Sequence, residues 1–173
     1  MRVALFVTCL NDTMFPQSGR ATVSVLERVG ASVAFPMAQT CCGQMHVNTG
    51  YRRQAIDMVR AFLDAFESHE TIVAPSSSCT ATIRHHYPAV AAESGDPLLV
   101  QRVAQIVPRV FDLSEFLIDV VQTVDVGAYF PHTVTYHATC HSQRAVHLGD
   151  RPYRLLRAVR GLRLLELANS EEC

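Results

Sequence analysis

The N-terminal stretch reads Val3-Ala4-Leu5-Phe6-Val7-Thr8-Cys9, a short apolar run that ends in a cysteine. The run is rich in β-forming residues, and no polar residue alternates with the apolar ones. This pattern is typical of a strand that is buried on both faces in a parallel sheet. We therefore predict a β-strand over Val3–Thr8, which delivers Cys9 to its carboxyl end.

A helix and a second strand follow this run. Apolar residues at helical spacing continue to Gly30, which we expect to end the helix, and Ser32–Phe35 has the pattern of a strand. The apolar positions of the helix are Ala21, Val25, Leu26 and Val29. Strand, helix and strand within about 35 residues match the size of a parallel crossover unit.

The rest of the chain continues to alternate helices with strands. The predicted elements are a helix over about 51–68, a strand at 71–74, a helix start near 79, two helices within 91–124 with Asp112 or Ser114 capping the second, a strand at 133–136, a helix at 152–159 and a strand at 162–167. This order predicts an α/β fold with a mostly parallel, Rossmann-like or flavodoxin-like sheet and helices on both faces.

All the cysteines share one position relative to these elements, because each falls just after a predicted strand. They are Cys9, Cys41, Cys42, Cys79, Cys140 and Cys173. In parallel sheets the loops beyond the carboxyl ends of the strands lie along one edge, where functional groups collect. We therefore expect the six cysteines to share one rim of the sheet.

The chain also contains an internal repeat. One copy runs from Val3–Thr8 to Cys41, and the other runs from Thr133–Tyr136 to Cys173. Each copy predicts a β-α-β unit. Residues 1–125 would hold the first unit with a helical connection, and residues 126–173 the start of the second, within one compact domain. Because Cys-Gly follows Cys41 but nothing follows Cys173, we expect the natural chain to continue.

Composition restricts the function classes. The chain has 173 residues, 49% of them hydrophobic and 18% charged, with a formal net charge of -1. A near-neutral chain has no basic surplus for neutralising phosphates, so nucleic acid is not the expected partner. No apolar run approaches the roughly 20 residues of a membrane span, and no signal peptide is recognisable. We expect a cytoplasmic protein, in which cysteines act as metal ligands or catalytic thiols.

The Cys41-Cys42-Gly43 sequence favours a polynuclear metal site. Adjacent cysteines make a poor disulfide with each other, whereas a cluster of several irons needs several neighbouring thiolates. Gly43 permits a positive φ and a close approach of the backbone. Three alternatives remain open: a zinc site, although no C-x2–4-C spacing is present, a redox-active thiol at Cys41 or Cys79, and cysteines that merely pack in the core.

The arrangement Cys9-x31-Cys41-Cys42-Gly43-x35-Cys79 resembles the cysteine-rich CCG domain family. Further matching segments are residues 5–10, Gln44, Asn48-x-Gly50-Tyr51, Pro75-Ser76-x-Ser78-Cys79 and Cys140-His141. The family includes a component of heterodisulfide reductase, the iron–sulfur subunit of glycolate oxidase, and lactate-utilisation proteins, to which these segments are most similar. The resemblance extends over almost the whole chain.

The resemblance implies a cluster of the 4Fe–4S type, which in some members is non-cubane. Carried over by position, its ligands are Cys9, Cys41, Cys42 and Cys79, while Cys140 and Cys173 begin a second motif. The expected supporting residues are Gly43, Gln44, Ser78 and His141, with His46 a weaker candidate. The fullest family motif ends in CxxC, but only Cys79 is present here, so four ligands are expected and a fifth is doubtful.

The resemblance also implies a function. We expect an iron–sulfur electron-transfer subunit of a complex that oxidises L-lactate to pyruvate, with sister iron–sulfur subunits as partners. A heterodisulfide-reductase-like or glycolate-oxidase-like subunit is the alternative. A zinc-binding or metal-free thiol scaffold without redox activity is the alternative from another class. In that case we expect the cysteine site of the isolated protein to hold zinc or no metal. With the second motif unfinished, we expect this chain to be inactive alone.

Overall fold

The N-terminal apolar run forms a strand inside a parallel sheet. The strands of this sheet are β1 (Arg2–Leu5), β2 (Ser32–Ala34), β3 (Ile72–Ala74) and β4 (Val110–Asp112). Their order is β2-β1-β3-β4, so β1 has a neighbour on each side. Its residues Val3, Ala4 and Leu5 are at most 1% exposed. The sheet and its flanking helices confirm the predicted Rossmann-like α/β fold.

The structure, a computed structural model, describes residues 1–170. The chain divides into two units: Met1–Asp112 contains the sheet just described, and the second unit begins at Leu113. Cys173, which we expected to begin a second cysteine motif with Cys140, lies outside the described residues.

Helices connect the strands of the first unit. They are α1 (Cys9–Met14), α2 (Pro16–Arg28), α3 (Gln44–Thr49), α4 (Arg52–Phe66), α5 (Ser77–Ala81), α6 (Tyr87–Glu93) and α7 (Pro97–Ile106). A π-helical turn (Thr82–His86) joins α5 to α6, and a 3-10 turn (Val107–Arg109) follows α7. No helix in the described part of the chain has the length and apolar character needed to span a bilayer.

Four aromatic rings form the centre of the first unit. Phe6 packs edge-on against Phe62 and Phe66 with ring centroids 5.2 and 5.5 Å apart, and Phe62 stacks on Phe66 at 4.7 Å. Tyr87 closes the group with an edge contact to Phe62 at 5.5 Å. Edge-to-face and offset-stacked pairs are the favourable aromatic geometries. This cluster fixes α4 and the start of α6 against the end of β1.

The prediction for residues 91–124 missed β4. The two helices expected there are present as α7 and as the helical segment that begins at Leu113, but β4 lies between them and pairs with β3 from Ile72↔Val110 to Ala74↔Asp112. A three-residue strand is too short to show any periodicity, and the apolar residues around it also fit a helical spacing. Asp112 therefore ends a strand, and the predicted helix starts at the next residue.

The second unit contains its own small sheet. Its elements are α8 (Leu113–Glu115), a π-helical turn (Phe116–Val120), β5 (Thr133–Thr135), a second π-helical turn (His141–Ala145), α9 (Arg151–Arg157) and β6 (Arg163–Leu165). β5 and β6 pair in parallel, apart from the four-stranded sheet. The expectation of one rim for all cysteines is thus wrong for Cys140, which follows β5.

The two strand pairs repeat each other in register. Arg2 lies opposite Ser32 and Thr133 opposite Arg163, an offset of 30 positions in each unit. Gly30 and Gly161, which precede the second strand of each pair, have φ values of 86° and 79°. Left-handed residues of this kind terminate helices at low steric cost when they are glycine. The repeated β-α-β organisation predicted from the sequence is present in the described residues.

Phe62→Ala should destabilise the first unit by about 3–5 kcal/mol, because it removes a fully buried ring from the aromatic cluster. Urea unfolding followed by circular dichroism measures this loss. Leu98→Ala is the matched control, since Leu98 lies on α7 with 63% of its surface exposed. We expect the control to change the free energy of unfolding by no more than about 0.5 kcal/mol. Equal losses in the two variants would contradict this description of the core.

Candidate functional site

Four cysteines lie beyond the carboxyl ends of three adjacent strands. Cys9 begins α1 shortly after the end of β1, Cys41 and Cys42 lie in the loop between β2 and α3, and Cys79 lies in α5 after β3. β1 is hydrogen-bonded to both β2 and β3. The parallel sheet therefore brings residues that are distant in sequence to one edge.

The four thiols form two close pairs. Cys9 Sγ lies 3.4 Å from Cys41 Sγ, and Cys42 Sγ lies 3.3 Å from Cys79 Sγ. We call these the outer pair and the inner pair, because Cys9 is exposed whereas Cys42 and Cys79 are 2% and 7% exposed. Since Cys41 and Cys42 are neighbours in the chain, this one dipeptide supplies a thiol to each pair.

Gly43 sets the direction in which the chain leaves the cysteine dipeptide. Its φ is 79°, as its position after two cysteines led us to expect, and its N–H donates to Cys41 Sγ at 3.4 Å. A Cβ at this position would lie 2.9 Å from the Cβ of Met58 on α4. Gly43 is thus required twice, for its left-handed conformation and for the close contact with α4.

Hydrogen-bond donors surround the inner pair. The backbone N–H of Gln44 donates to the Cys42 thiol, and the hydroxyl groups of Ser76 and Ser78 donate to Cys79. Ser76 also caps α5, since its Oγ accepts from the N–H of Cys79 at 3.5 Å. Ser77 Oγ donates to the buried carboxylate of Asp112 at 2.8 Å, which ties the serine loop to the end of β4.

The environment shifts the pKa of three thiols. The pKa of Cys79 is lowered to about 7, first by the hydrogen bond from the Cys42 thiol and further by donors that include Ser76 and Ser78, although burial opposes the shift. The pKa of Cys42 is raised far above its usual range, because Cys42 is the proton donor to Cys79 and is also buried. Partial burial and the neighbouring thiol of Cys41 raise the pKa of Cys9 to about 11.

Two residues of this site were not recognised in the sequence. Tyr87 is fully buried and its hydroxyl donates to the carbonyl oxygen of Cys42 at 3.0 Å, which holds the dipeptide from the core side. Thr8 is 2% exposed, has a φ of 72°, and its hydroxyl is hydrogen-bonded to the Cys79 thiol. A buried tyrosine needs a hydrogen-bond partner, which was a usable signal, but no sequence signal indicates the conformation of Thr8.

The remaining candidates lie on other elements of the chain. His46 is on α3 in the first unit, and its Nδ1 is buried without a hydrogen-bond partner among the described residues. Cys140 is half-buried and directly precedes the π-helical turn that begins with His141. Cys140 and His141 belong to the second unit, whereas the first unit contains the other four described cysteines.

The donor set suits a thiolate-bound metal group. Within residues 1–170, no three Cys, His, Asp or Glu side chains are arranged to hold one metal ion. The sulfurs of each pair lie closer together than the roughly 3.8 Å that separates thiolates around one zinc, given Zn–S bonds of about 2.3 Å. The N–H and O–H donors directed at sulfur suit an anionic group such as a cluster, in which each thiolate binds a different iron.

This combination defines a class of protein: a Rossmann-like α/β unit with cysteines gathered at its strand ends. Comparison with known families identifies the class, because the cysteine-rich domain called CCG matches residues 3–84 and 134–173. The chain belongs to the CCG cysteine-rich domain family, which confirms the resemblance found in the sequence.

Proteins from several bacteria are similar over the whole chain. The chain is 41% identical to the Lactate utilization protein A of Geobacillus kaustophilus (strain HTA426), a match that covers 100% of the chain and 71% of that protein. It is 43% identical to the protein of the same name in Exiguobacterium sp. (strain ATCC BAA-1283 / AT1b), covering 99% and 69%. The identity to the one in Oceanobacillus iheyensis is 39%, covering 100% and 70%.

Gly43→Ala should lower the free energy of unfolding by about 2–4 kcal/mol, because alanine is strained at this φ and its Cβ collides with Met58. Gly50→Ala is the control: its φ is also 79°, but no atom lies within 4 Å of the added Cβ. We expect the control to lose only about 1–2 kcal/mol. Urea unfolding compares the two, and an equal loss would show that Met58 does not restrict position 43.

The inner pair should release its first proton near pH 7 in the reduced, metal-free protein. The pKa of Cys79 is about 7 in the folded protein and 9.0 for an ordinary thiol, so the thiolate is the form that folding favours. This contribution to stability is fully present above pH 9 and is lost as the pH falls through 7. Thiolate ultraviolet absorbance against pH measures the step. In Cys42→Ala, which lacks the main donor, the midpoint should rise; an unchanged midpoint would contradict the assignment.

Proposed function

We propose that this protein is an iron–sulfur electron-transfer subunit that serves the oxidation of L-lactate to pyruvate. The observation that carries the proposal is the meeting of four cysteine thiols at one sheet edge, with backbone N–H and hydroxyl groups directed at their sulfurs. The thiols supply ligands and the donors offset negative charge, which are the two requirements of a bound cluster.

Cys9, Cys41, Cys42 and Cys79 would hold the cluster. When bound, a cluster of the 4Fe–4S type takes up and releases single electrons. The four thiols of this site would suit an ordinary cluster with one ligand for each iron, and the described residues of the first unit contain no further cysteine as a fifth ligand for a non-cubane form. Gln44 and Ser78 would stabilise the thiolates through their hydrogen bonds, and Gly43 would keep Cys41 and Cys42 in the two pairs.

The outer pair gives the site a route to the surface. Cys9 and Cys41 line a cavity of about 270 Å³ whose wall also includes Phe35 and Met37. Met37 is 85% exposed and Phe35 is 44% exposed, so the cavity lies at the surface of the first unit. Electrons that reach the inner thiols would therefore leave through the outer pair, where another protein can approach.

The name of the relatives indicates the metabolic role. Proteins 39–43% identical to this chain are called Lactate utilization protein A, and we transfer lactate utilisation to this chain on that basis. Oxidation of lactate to pyruvate releases electrons as a pair, whereas a cluster of this type accepts them singly. We therefore propose sister iron–sulfur subunits as partners, in the cytoplasm, where thiols stay reduced.

We further propose that residues 126–173 begin a second cysteine motif, with Cys140 as a ligand and His141 beside it. The equal strand offsets in the two units support this assignment.

A zinc-binding or metal-free thiol scaffold is the second candidate. The observation that favours it is the close approach of the sulfurs, 3.4 Å in the outer pair and 3.3 Å in the inner pair, at which each pair is joined by a thiol–thiol hydrogen bond. A heterodisulfide-reductase-like or glycolate-oxidase-like subunit is the alternative within the iron–sulfur class, and the substrate of the complex distinguishes it from the first candidate.

Iron and acid-labile sulfide analysis after anaerobic purification tests the proposal. We expect iron and sulfide in equal amounts and a brown protein with broad visible absorbance. Cys42→Ser should lose most of the iron, because it removes a ligand from the inner pair. Cys140→Ser is the control, since Cys140 lies in the other unit, and it should keep the iron of the first site. Stoichiometric zinc without sulfide would overturn the proposal.

A further inference from the structure

The backbone of Thr8 adopts a conformation that threonine rarely takes. Its φ is 72° and its ψ is 144°, at the junction between β1 and α1. A positive φ in a β-branched residue is a genuine outlier, and this combination of φ and ψ is essentially restricted to glycine. The strain therefore has to be maintained by the surroundings of Thr8.

The side chain of Thr8 does not perform the usual task of its position. Thr8 is the N-cap residue of α1, and its carbonyl oxygen accepts from the N–H of Asp12 at 3.0 Å, but its hydroxyl makes no cap hydrogen bond. Threonine at an N-cap normally uses this hydroxyl to satisfy a free N–H of the first turn. At Thr8 the side chain is instead buried, and the hydroxyl is hydrogen-bonded to Cys79.

The corresponding residue of the second unit shows the usual arrangement. Thr139 also precedes a cysteine and a helical turn, and its Oγ1 accepts from the N–H of Ser142 at 3.2 Å. Thr139 is not among the described residues with a positive φ. The same dipeptide, Thr-Cys, thus takes a relaxed capping form at 139–140 and a strained form at 8–9, where the four thiols meet.

We infer that Thr8 is a positioning residue that holds the outer and inner thiol pairs in one site. Its strained backbone turns the chain so that Cys9 Sγ reaches Cys41 Sγ, and its hydroxyl fixes Cys79 opposite Cys42. One residue therefore acts on both pairs, through its backbone on the outer pair and through its side chain on the inner pair. This role rests in part on the proposed function, since it also implies control of the bound cluster.

The first test measures the reduction potential of the cluster. Thr8→Val keeps the β-branched shape and removes only the hydroxyl donor, so the more negative, reduced cluster loses stabilisation. We expect the equilibrium constant for one-electron reduction to fall about fivefold to tenfold, with iron content preserved. Thr8→Ser, which keeps the hydroxyl, should stay within about twofold of the original protein, and so should Thr139→Val. A Thr8→Val potential equal to that of the original protein would overturn the inference.

The second test needs no cluster. In the reduced, metal-free protein, alkylation by iodoacetamide is followed at each cysteine by peptide mass spectrometry. Thr8→Ala removes the buried hydroxyl but keeps the penalty of a positive φ, so the backbone should relax, and Cys9 should leave Cys41 and react at least about threefold faster than in the original protein, while Cys140 is unchanged. Thr8→Gly takes this φ without strain, so it is the control and should keep the original rate at Cys9. An unchanged rate at Cys9 in Thr8→Ala, or an equally raised rate in Thr8→Gly, would overturn the inference. If the original protein holds no iron or sulfide, the proposed function fails, yet this measurement still decides the role of Thr8.

Discussion

The parallel pairing of β1 with β2 and β3 is the constraint on which the rest of the site depends. Parallel strands end at the same edge, so residues 9, 41 and 79 meet although they are distant along the chain. The pairing is maintained by the burial of β1 and by the aromatic cluster that begins at Phe6. Cys42 and Cys79 are themselves buried in this core, so the packing that maintains the strand pairing also holds the inner thiols.

The cysteine dipeptide gives the site two parts, which differ in solvent exposure and in thiol pKa. Because Cys41 and Cys42 point into different pairs, one thiol is directed to the surface and the next into the core. The inner pair is surrounded by hydrogen-bond donors and has one thiol with a lowered pKa, whereas Cys9 in the outer pair has a raised pKa. The protein therefore offers two electrostatic environments to any group that all four thiols would hold.

The long periodic elements of the fold were predictable, and the short or strained ones were not. β1 was predictable from its continuous apolar run, and α4 was predictable from the helical spacing of its apolar residues. Both patterns arise because the residues concerned are buried. β4 has three residues and shows no period, so only its pairing with β3 reveals it. The four cysteines at neighbouring strand ends were predictable from topology, but their division into pairs depends on side-chain directions that no sequence pattern encodes.

The hydrogen bond between Ser77 and Asp112 has a consequence for the order of assembly. It joins the loop that carries Cys79 to a strand 35 positions further along the chain. During synthesis the first three strands and all four thiols emerge before β4 does. The segment that carries Cys79 therefore gains this hydrogen bond only after β4 has paired with β3, so the fourth strand is the last element of the sheet to restrain the inner pair.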